Sequence, residues 1–198
     1  MEERIPSLDI DFQIRLLTEE DFDKLSSFSC GEPELDYFFQ KEVRECVKYR
    51  YLSAYCAFIE SGEIIAAFTL MNDALMIKDT IAKEDFITDV RFITNEDIVK
   101  FFILQTSYPA INIGHLGTSK EYQRRGVGTA IIDLVAETFS QDTRTGCQFI
   151  TVDSLNNPDT NKFYLKNNFY NQTDADASSP TRRMYRIIID PNNLTKSF

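Results

Sequence analysis

The chain has 198 residues, of which 43% are hydrophobic and 26% charged, the proportions of a globular protein with enough material for a core. A net charge of −10 argues against broad, nonspecific nucleic-acid binding, which depends on neutralising phosphates, but leaves room for a local basic patch. No apolar run approaches the roughly 18–20 residues of a membrane span, and the charged start Met1-Glu2-Glu3-Arg4 does not resemble a secretory signal. We therefore expect one domain, residues 1–198, located in the cytoplasm and without a membrane partner.

The cysteines predict neither disulfides nor a zinc site. The four of them are widely spaced and form no C-x-x-C pair, and the chain has a single histidine, His115. Three cysteines fall on apolar faces, where a free thiol behaves as a small hydrophobic group. The four are Cys30, Cys46, Cys56 and Cys147. We expect no metal cofactor.

The first part of the chain predicts one strand and two helices before a hairpin. Residues 12–17 alternate like a strand, and Thr18 with the acidic residues after it indicates a helix cap. A second helix is expected from Pro33, with an apolar stripe over residues 35–47. Strands over residues 53–59 and 64–70 flank a Gly-containing turn, which is typical of a hairpin.

Residues 73–109 are mixed and acidic, with one predicted helix from about Asn95 to Gln105. We interpret this span as an insertion on the substrate side of the sheet. Beyond it the pattern is regular, and it predicts in order a strand over 110–116, a helix from Thr129, a strand over 148–152, a helix over 157–168, and strands near Tyr170 and over 184–189.

A short loop, Gln123-Arg124-Arg125-Gly126-Val127-Gly128, lies between the strand and the helix. Glycines allow close backbone approach, and the amides at a helix start carry partial positive charge, so this order favours a phosphate-bearing ligand. The dinucleotide fingerprint would need a third glycine where Ile131 stands, and the P-loop would need a lysine before Thr129. A plain connection between strand and helix is the alternative.

The Gln-x-x-Gly-x-Gly loop resembles the pyrophosphate loop of the GNAT family, the acetyl-CoA-dependent N-acetyltransferases. The resemblance covers most of the chain, is densest over about 109–169, and implies an α/β fold with a mixed central sheet flanked by helices on both faces. It implies that acetyl-CoA lies against the strand end and the loop. The implied binding residues are Leu116, Gly117, Thr118, Gln123, Arg124, Arg125, Gly126, Val127, Gly128 and Thr129.

Asn157-Pro158 through Tyr164, ending in Asn168-Phe169, resembles a second GNAT element. The resemblance implies that Asn157 binds the pantetheine arm, although Asn before Pro is also a good helix cap. It implies that Tyr164 protonates the leaving thiolate, whereas the alternative is a core aromatic. Asn168 stands where the family has Gly, a mild change because Asn is the next choice for a left-handed position.

No general base is evident. An alkylammonium with a pKa of about 10.4 must lose a proton before it attacks a thioester. Candidates are Asp153, an acidic residue within 73–97, and His115, and the oxyanion can be stabilised by a backbone amide.

Two further segments resemble the toxin-type branch of the family. They are Phe28-Ser29-Cys30-Gly31 with Leu35-Asp36-Tyr37-Phe38, and Tyr108-Pro109 with Gly114-His115-Leu116-Gly117. We predict direct acetyl transfer to a primary amine of a small molecule or peptide. One alternative is a toxin-type enzyme that acts on aminoacyl-tRNA and has a neutralising antitoxin; another is a CoA-binding module without activity. The resemblance also suggests a homodimer.

Overall fold

The computed structural model describes residues 3–4, 10–141 and 144–189. The chain divides into two compact units, Met1–Met71 with Ile113–Leu134, and Asn72–Asn112 with Val135–Phe198. Among the helices in the described ranges, none has the length and apolar character needed to cross a membrane.

The strands of the first unit are hydrogen-bonded in the order β1-β2-β3-β4-β5. They are β1 (Glu3–Arg4), β2 (Gln13–Leu16), β3 (Ser53–Phe58), the part of β4 (Ile64–Met76) up to Met71, and the part of β5 (Ser107–Thr118) from Ile113. The pairs β1-β2, β2-β3 and β3-β4 are antiparallel, with Ile14 opposite Ala57. Beyond the end of β5, the Ser119 amide donates to the Ile65 carbonyl at 2.8 Å.

Three helical segments of this unit follow one another along the chain without a break. They are α2 (Pro33–Tyr37), a π-helical turn (Phe38–Glu42) and α3 (Val43–Lys48), preceded by the short α1 (Asp21–Leu25). A 3₁₀ turn (Lys120–Tyr122) leads to α6 (Val127–Gln141), which begins in this unit. Leu25, Phe39, Val43 and Cys56 lie at the centre of the unit's apolar core.

The strands of the second unit are ordered β4-β5-β6-β8-β7. The new ones are β6 (Phe149–Leu155), β7 (Tyr170–Asn171) and β8 (Thr181–Ile187). Strands β5 and β6 are parallel, with Ile111 opposite Ile150, whereas β8 is antiparallel to both β6 and β7. The helices are α4 (Thr80–Ile93), α5 (Glu96–Ile103) and α7 (Pro158–Lys166).

The core of the second unit is aromatic. The rings of Phe86, Phe102, Tyr108, Phe149 and Tyr185 contact one another, with centroids 5.0–6.1 Å apart. Such edge-on and tilted pairs add to the burial of large apolar surfaces.

The predicted α/β class with a mixed sheet flanked by helices is confirmed. Two predictions for the span 73–109 need correction. The helix predicted near 95–105 is present as α5, but a longer helix, α4, precedes it, and β4 continues to Met76 instead of ending near residue 70.

The predicted cap of the first helix is also wrong, because the Thr18 side chain donates a hydrogen bond instead of accepting one. The Thr18 hydroxyl does not accept from the helix. It donates to the Asp21 carboxylate at 2.7 Å, and the Thr18 amide donates to the same oxygen at 2.8 Å. The Asp21 carboxylate, at the first helical position, is a charged acceptor, and it binds these two donors more strongly than a neutral hydroxyl oxygen would.

Candidate functional site

The glycine loop has a left-handed backbone at two positions. Arg124 and Gly126 adopt left-handed conformations with φ of 60° and 85°, and the Gly126 carbonyl accepts from the Ala130 amide at 3.0 Å as α6 begins. Val127, the first residue of α6, is buried and fixes the turn to the core. The first amides of a helix have no acceptor within it, so the loop can bind an anion there.

The side chain of Gln123 fixes the position of the glycine loop. Gln123 Nε2 donates to the Cys30 carbonyl at 2.6 Å and to the Thr118 carbonyl at 3.1 Å. The Lys120 amide donates to the Ser29 carbonyl at 3.2 Å. The loop therefore takes its position from the turn at residues 29–31 as well as from β5. Gln123 is predicted from sequence to contact the ligand, and no local pattern reveals its contact with Cys30, more than ninety residues away.

The turn at residues 29–31 is itself held by Asp36. The carboxylate accepts from the Ser29 hydroxyl at 2.6 Å and from the Cys30 amide at 2.7 Å. Partial burial acts to raise the pKa of Asp36, but these hydrogen bonds outweigh it, and the pKa lies below its ordinary value. The Phe-x-Cys-Gly and Leu-Asp segments noted in the sequence thus meet in one structural feature.

Gly117 allows β5 to approach this turn closely. A Cβ at Gly117 would lie 3.3 Å from Cys30 Sγ and 3.4 Å from Leu35 Cδ2. Its neighbours Leu116 and Thr118 are partly exposed. That the backbone of this strand end pairs with a pantetheine arm stays a prediction.

The two loop arginines, Arg124 and Arg125, are exposed. The Arg125 guanidinium lies 5.5 Å from the centroid of the Tyr122 ring, and the Tyr122 hydroxyl donates to Glu63 at 3.2 Å. These contacts keep positive charge beside the start of α6, where a pyrophosphate would be bound.

His115 is packed rather than poised for proton transfer. Its ring stacks on Phe38 with centroids 3.5 Å apart, and Nδ1 lies 3.1 Å from the Thr69 hydroxyl. Burial lowers the pKa of His115 to about 4. The imidazole is therefore neutral near pH 7, and it is a weak acceptor for the proton of an ammonium group.

In the second unit, Asn157 is the cap of α7. Its Oδ1 accepts from the Thr160 amide at 2.9 Å. This leaves Nδ2 without a hydrogen-bond partner among the residues described, so the cap and a donor to a ligand are compatible. At the other end of the helix, Asn168 has a φ of 62°, the left-handed conformation that the sequence predicts.

Tyr164, on α7, is 8% exposed and packs edge-on against Phe163 and Phe169. Within the described ranges its hydroxyl has no hydrogen-bond partner. Burial raises the pKa of Tyr164 above its ordinary value, so the phenol is protonated at neutral pH.

The acidic candidates for a general base are mostly engaged. Arg183 pairs with Asp73 and, at 2.7 Å, with Asp153, while the Thr151 hydroxyl also donates to Asp73. Asp79 caps α4 by accepting from two amides. Asp89 accepts from the Tyr185 hydroxyl at 3.1 Å, and its pKa is raised by burial.

Within the described part of the chain, no group of His, Cys, Asp and Glu side chains could hold a metal ion. The four thiols are free. Burial raises the pKa of Cys30 to about 11, which leaves this thiol protonated and a poor nucleophile.

The structure thus places the strand end and the glycine loop in the first unit, and Asn157 and Tyr164 in the second. Taken separately, an anion-binding loop before a helix and a protonated phenol are both features that an acyl-transfer enzyme uses. Residues 82–171 match the family described as "Acetyltransferase (GNAT) domain". The match supports the predicted resemblance to the GNAT acetyltransferases over these residues.

Solved structures with this fold include bacterial toxins of the family. AtaTR bound with acetyl-CoA has a TM-score of 0.69 and 18% identity, covering 93% of this chain and 98% of that one. AtaT complexed with acetyl-methionyl-tRNAfMet has a TM-score of 0.66 and 19% identity, covering 87% and 94%. An AtaT mutant bound to the C-terminus of the antitoxin AtaR has a TM-score of 0.66 and 16% identity, covering 95% and 99%. No curated protein matches in sequence.

Proposed function

We propose that this protein is a toxin-type acetyltransferase that transfers the acetyl group of acetyl-CoA to the α-amino group of an aminoacyl-tRNA. We further propose that a protein antitoxin neutralises it. The observation that carries the proposal is similarity of fold to AtaT along nearly the whole of both chains, which extends well beyond the residues of the family match. The Asp36 turn and the Gly117 contact give the toxin-type segments of the sequence a structural basis.

Acetyl-CoA is assigned to the residues that the sequence predicts. The amides from Gln123 to Thr129 and the two arginines would bind the pyrophosphate, and the backbone of Leu116, Gly117 and Thr118 would pair with the pantetheine. Asn157 Nδ2 would donate to the same arm. The acetyl thioester supplies the activated acyl group, and this chain's residues bind it and deliver protons.

Tyr164 is assigned the role of proton donor. When the amine has attacked the thioester, the tetrahedral intermediate expels a thiolate, which takes a proton from the phenol. A phenol that is protonated across the neutral range and keeps its oxygen free of protein partners suits this role.

An α-amine as the acetyl acceptor is consistent with a site that has no evident general base. The pKa of an α-amino group is about 7.7–8.0, against about 10.4 for a lysine ammonium. A substantial fraction of α-amines is therefore already neutral near pH 7, and a weak acceptor or a water molecule suffices to remove the remaining proton.

The second candidate acceptor is a small-molecule or peptide amine, the main prediction from sequence. The net charge of −10 favours it, because repulsion from RNA phosphates is a cost that such an acceptor does not impose.

The first test is calorimetric titration with acetyl-CoA. We expect micromolar binding in the natural sequence and a loss of at least about tenfold in Gly126→Trp, since the backbone there is left-handed and the new ring would cover the loop. Gly146→Trp is the matched control, because a Cβ at Gly146 meets nothing within 4 Å. No binding to folded protein would contradict the cofactor assignment.

The acceptor is then identified with labelled acetyl-CoA. Charged tRNA, polyamines, aminoglycosides and peptide amines are offered to the same enzyme, and we expect label in the aminoacyl-tRNA alone. Label in a small amine or peptide, with none in charged tRNA, would replace this proposal by the second candidate.

A further inference from the structure

An exposed basic and aromatic turn ends α3. The four consecutive residues Lys48, Tyr49, Arg50 and Tyr51 all have exposed side chains, and the two tyrosines are 72% and 67% exposed. Large aromatic side chains are usually at least half buried, so two exposed rings at positions 49 and 51, each next to a basic residue in the chain, are unusual.

The backbone of this turn is firmly fixed. The Tyr51 amide donates to the Cys46 carbonyl and the Arg50 amide to the Val47 carbonyl, both at 3.0 Å, which is the Schellman pattern of a helix end. The side chains are thus presented from a rigid base. A partner that binds them has little ordering of the backbone to overcome.

Arg50, at the centre of the turn, is not the residue type that its backbone conformation favours. Arg50 has a φ of 57°, the left-handed position where glycine is the usual residue. In the described part of the chain Arg50 has no ion-pair partner, so no internal contact explains an arginine here. A cation kept at a position that costs it conformational strain points to a binding role.

The charge around the turn differs in sign from that of the whole chain. Residues 41–50 contain four basic and two acidic side chains, within a protein of net charge −10. Lys48 Nζ lies 3.2 Å from Glu45 and 5.2 Å from the Tyr49 ring centroid, but both ionic side chains are more than half exposed. Such an exposed pair is weak, and Lys48 remains available to another anion.

From these observations we infer that the turn Lys48–Tyr51 is a docking site for an unpaired stretch of RNA, and in this enzyme for a single-stranded part of the tRNA substrate. The inference rests on the proposed function. Exposed rings stack on bases whatever their sequence, and the flanking cations contact the phosphates. This combination of flat rings and positive charge fits an unpaired strand, whose bases can stack and whose phosphates can pair with the cations.

The test uses the full chain with three sets of substitutions. Tyr49→Ala with Tyr51→Ala removes the rings, and Tyr49→Phe with Tyr51→Phe keeps them. Arg50→Gly removes the charge while suiting the left-handed backbone. Each variant is assayed for acetyl-CoA affinity, for KM and kcat with unfractionated aminoacyl-tRNA, and for binding of radiolabelled uncharged tRNA at several salt concentrations.

We expect the double alanine variant to raise KM and the tRNA Kd by about tenfold or more, with kcat and acetyl-CoA affinity unchanged. The double phenylalanine variant should behave as the natural sequence. Arg50→Gly should lower the slope of log Kd against log salt by about 0.7, the value of one phosphate contact on a single strand.

An alanine variant with unchanged KM and Kd, in an enzyme that acetylates charged tRNA, would overturn this inference and leave the proposed function standing. Equal losses in the alanine and phenylalanine variants would also overturn it, because the rings would not be responsible. A natural sequence that neither binds nor acetylates tRNA would overturn both.

Discussion

The Tyr164 hydroxyl differs from those of the other buried tyrosines in its surroundings. The Tyr108 hydroxyl donates to backbone carbonyls at 2.8 Å, and the Tyr185 hydroxyl donates to Asp89. A buried phenol normally finds such a partner. Tyr164 keeps its ring in the core without such a partner among the described residues, which supports its proposed role as a proton donor.

Replacing Tyr164 by Phe should therefore lower kcat by about 100-fold while leaving acetyl-CoA affinity nearly unchanged. The ring packing survives, and only the proton donor is lost. Steady-state kinetics with the identified acceptor measure this effect. Tyr170→Phe, which removes a hydroxyl nearby in the chain, is the control and should be active. Full activity of Tyr164→Phe would refute the assigned role.

The sequence alone could not separate these possibilities for Tyr164. Helical spacing next to Phe163 is equally typical of a core aromatic, and only the family resemblance favoured chemistry. The pattern also could not show that His115 is stacked and neutral, because this depends on Phe38 and Thr69, which are distant along the chain.

Among the secondary-structure elements, the start of α1 depends on one buried charge. Asp21 is 1% exposed and accepts from Arg15 at 2.5 and 2.9 Å, in addition to its two bonds from Thr18. The hydrogen bonds from Arg15, aided by those from Thr18, hold the pKa of Asp21 well below its ordinary value despite burial. An ion pair of this kind is costly to break on one side only.

Asp21→Asn should lower the free energy of unfolding at pH 7 by about 3 kcal/mol. Since the pKa of this carboxyl is lower folded than unfolded, its stabilising effect is present above about pH 4, the unfolded value, and is lost as the pH falls toward the folded value. Urea unfolding between pH 2.5 and 7 tests this, and the difference in stability between the two proteins should shrink steadily as the pH falls below about 4. A constant difference over that range would contradict the assignment.

The missed helix α4 shows why periodicity fails for some elements. Phe86, Ile87 and Val90 lie on its buried face, but Ile81 and Phe92 are 72% and 85% exposed and blur the apolar stripe. The end of β4 was missed for another reason. Asn72 and Asp73 are poor strand formers, and Asp73 is held there by Arg183 and Thr151 from β8 and β6. In contrast, α5 is predicted, because Ile98, Val99 and Phe102 lie on its buried face, although Phe101 is exposed.

For the molecule as a whole, the free thiols indicate whether acetyl transfer is direct or passes through a covalent acetyl-enzyme. Burial raises the pKa of Cys30, Cys56 and Cys147, which disfavours the thiolate that a covalent acetyl-enzyme would need. The chain therefore fits direct transfer within a complex of both substrates.

A variant with all four cysteines replaced by Ala or Ser should keep acetyl transfer within about threefold, since the side chains are close in size and only Cys56 is fully buried. Initial rates at varied concentrations of both substrates should give intersecting reciprocal plots. Loss of transfer in a folded variant, together with ping-pong kinetics in the natural sequence, would establish an acetyl-enzyme instead.

The π-helical turn at Phe38–Glu42 determines the direction in which the side chains of α3, the helix that follows it, point. The apolar residues Leu35, Phe39, Val43 and Val47 recur every four positions and all pack on one core, whereas an α-helix turns once in 3.6 residues. The π-helical turn takes up that excess. With one residue fewer, α3 and its terminal tyrosines would point about 100° away. A single-residue deletion in a relative would therefore redirect a whole surface while changing almost none of its composition.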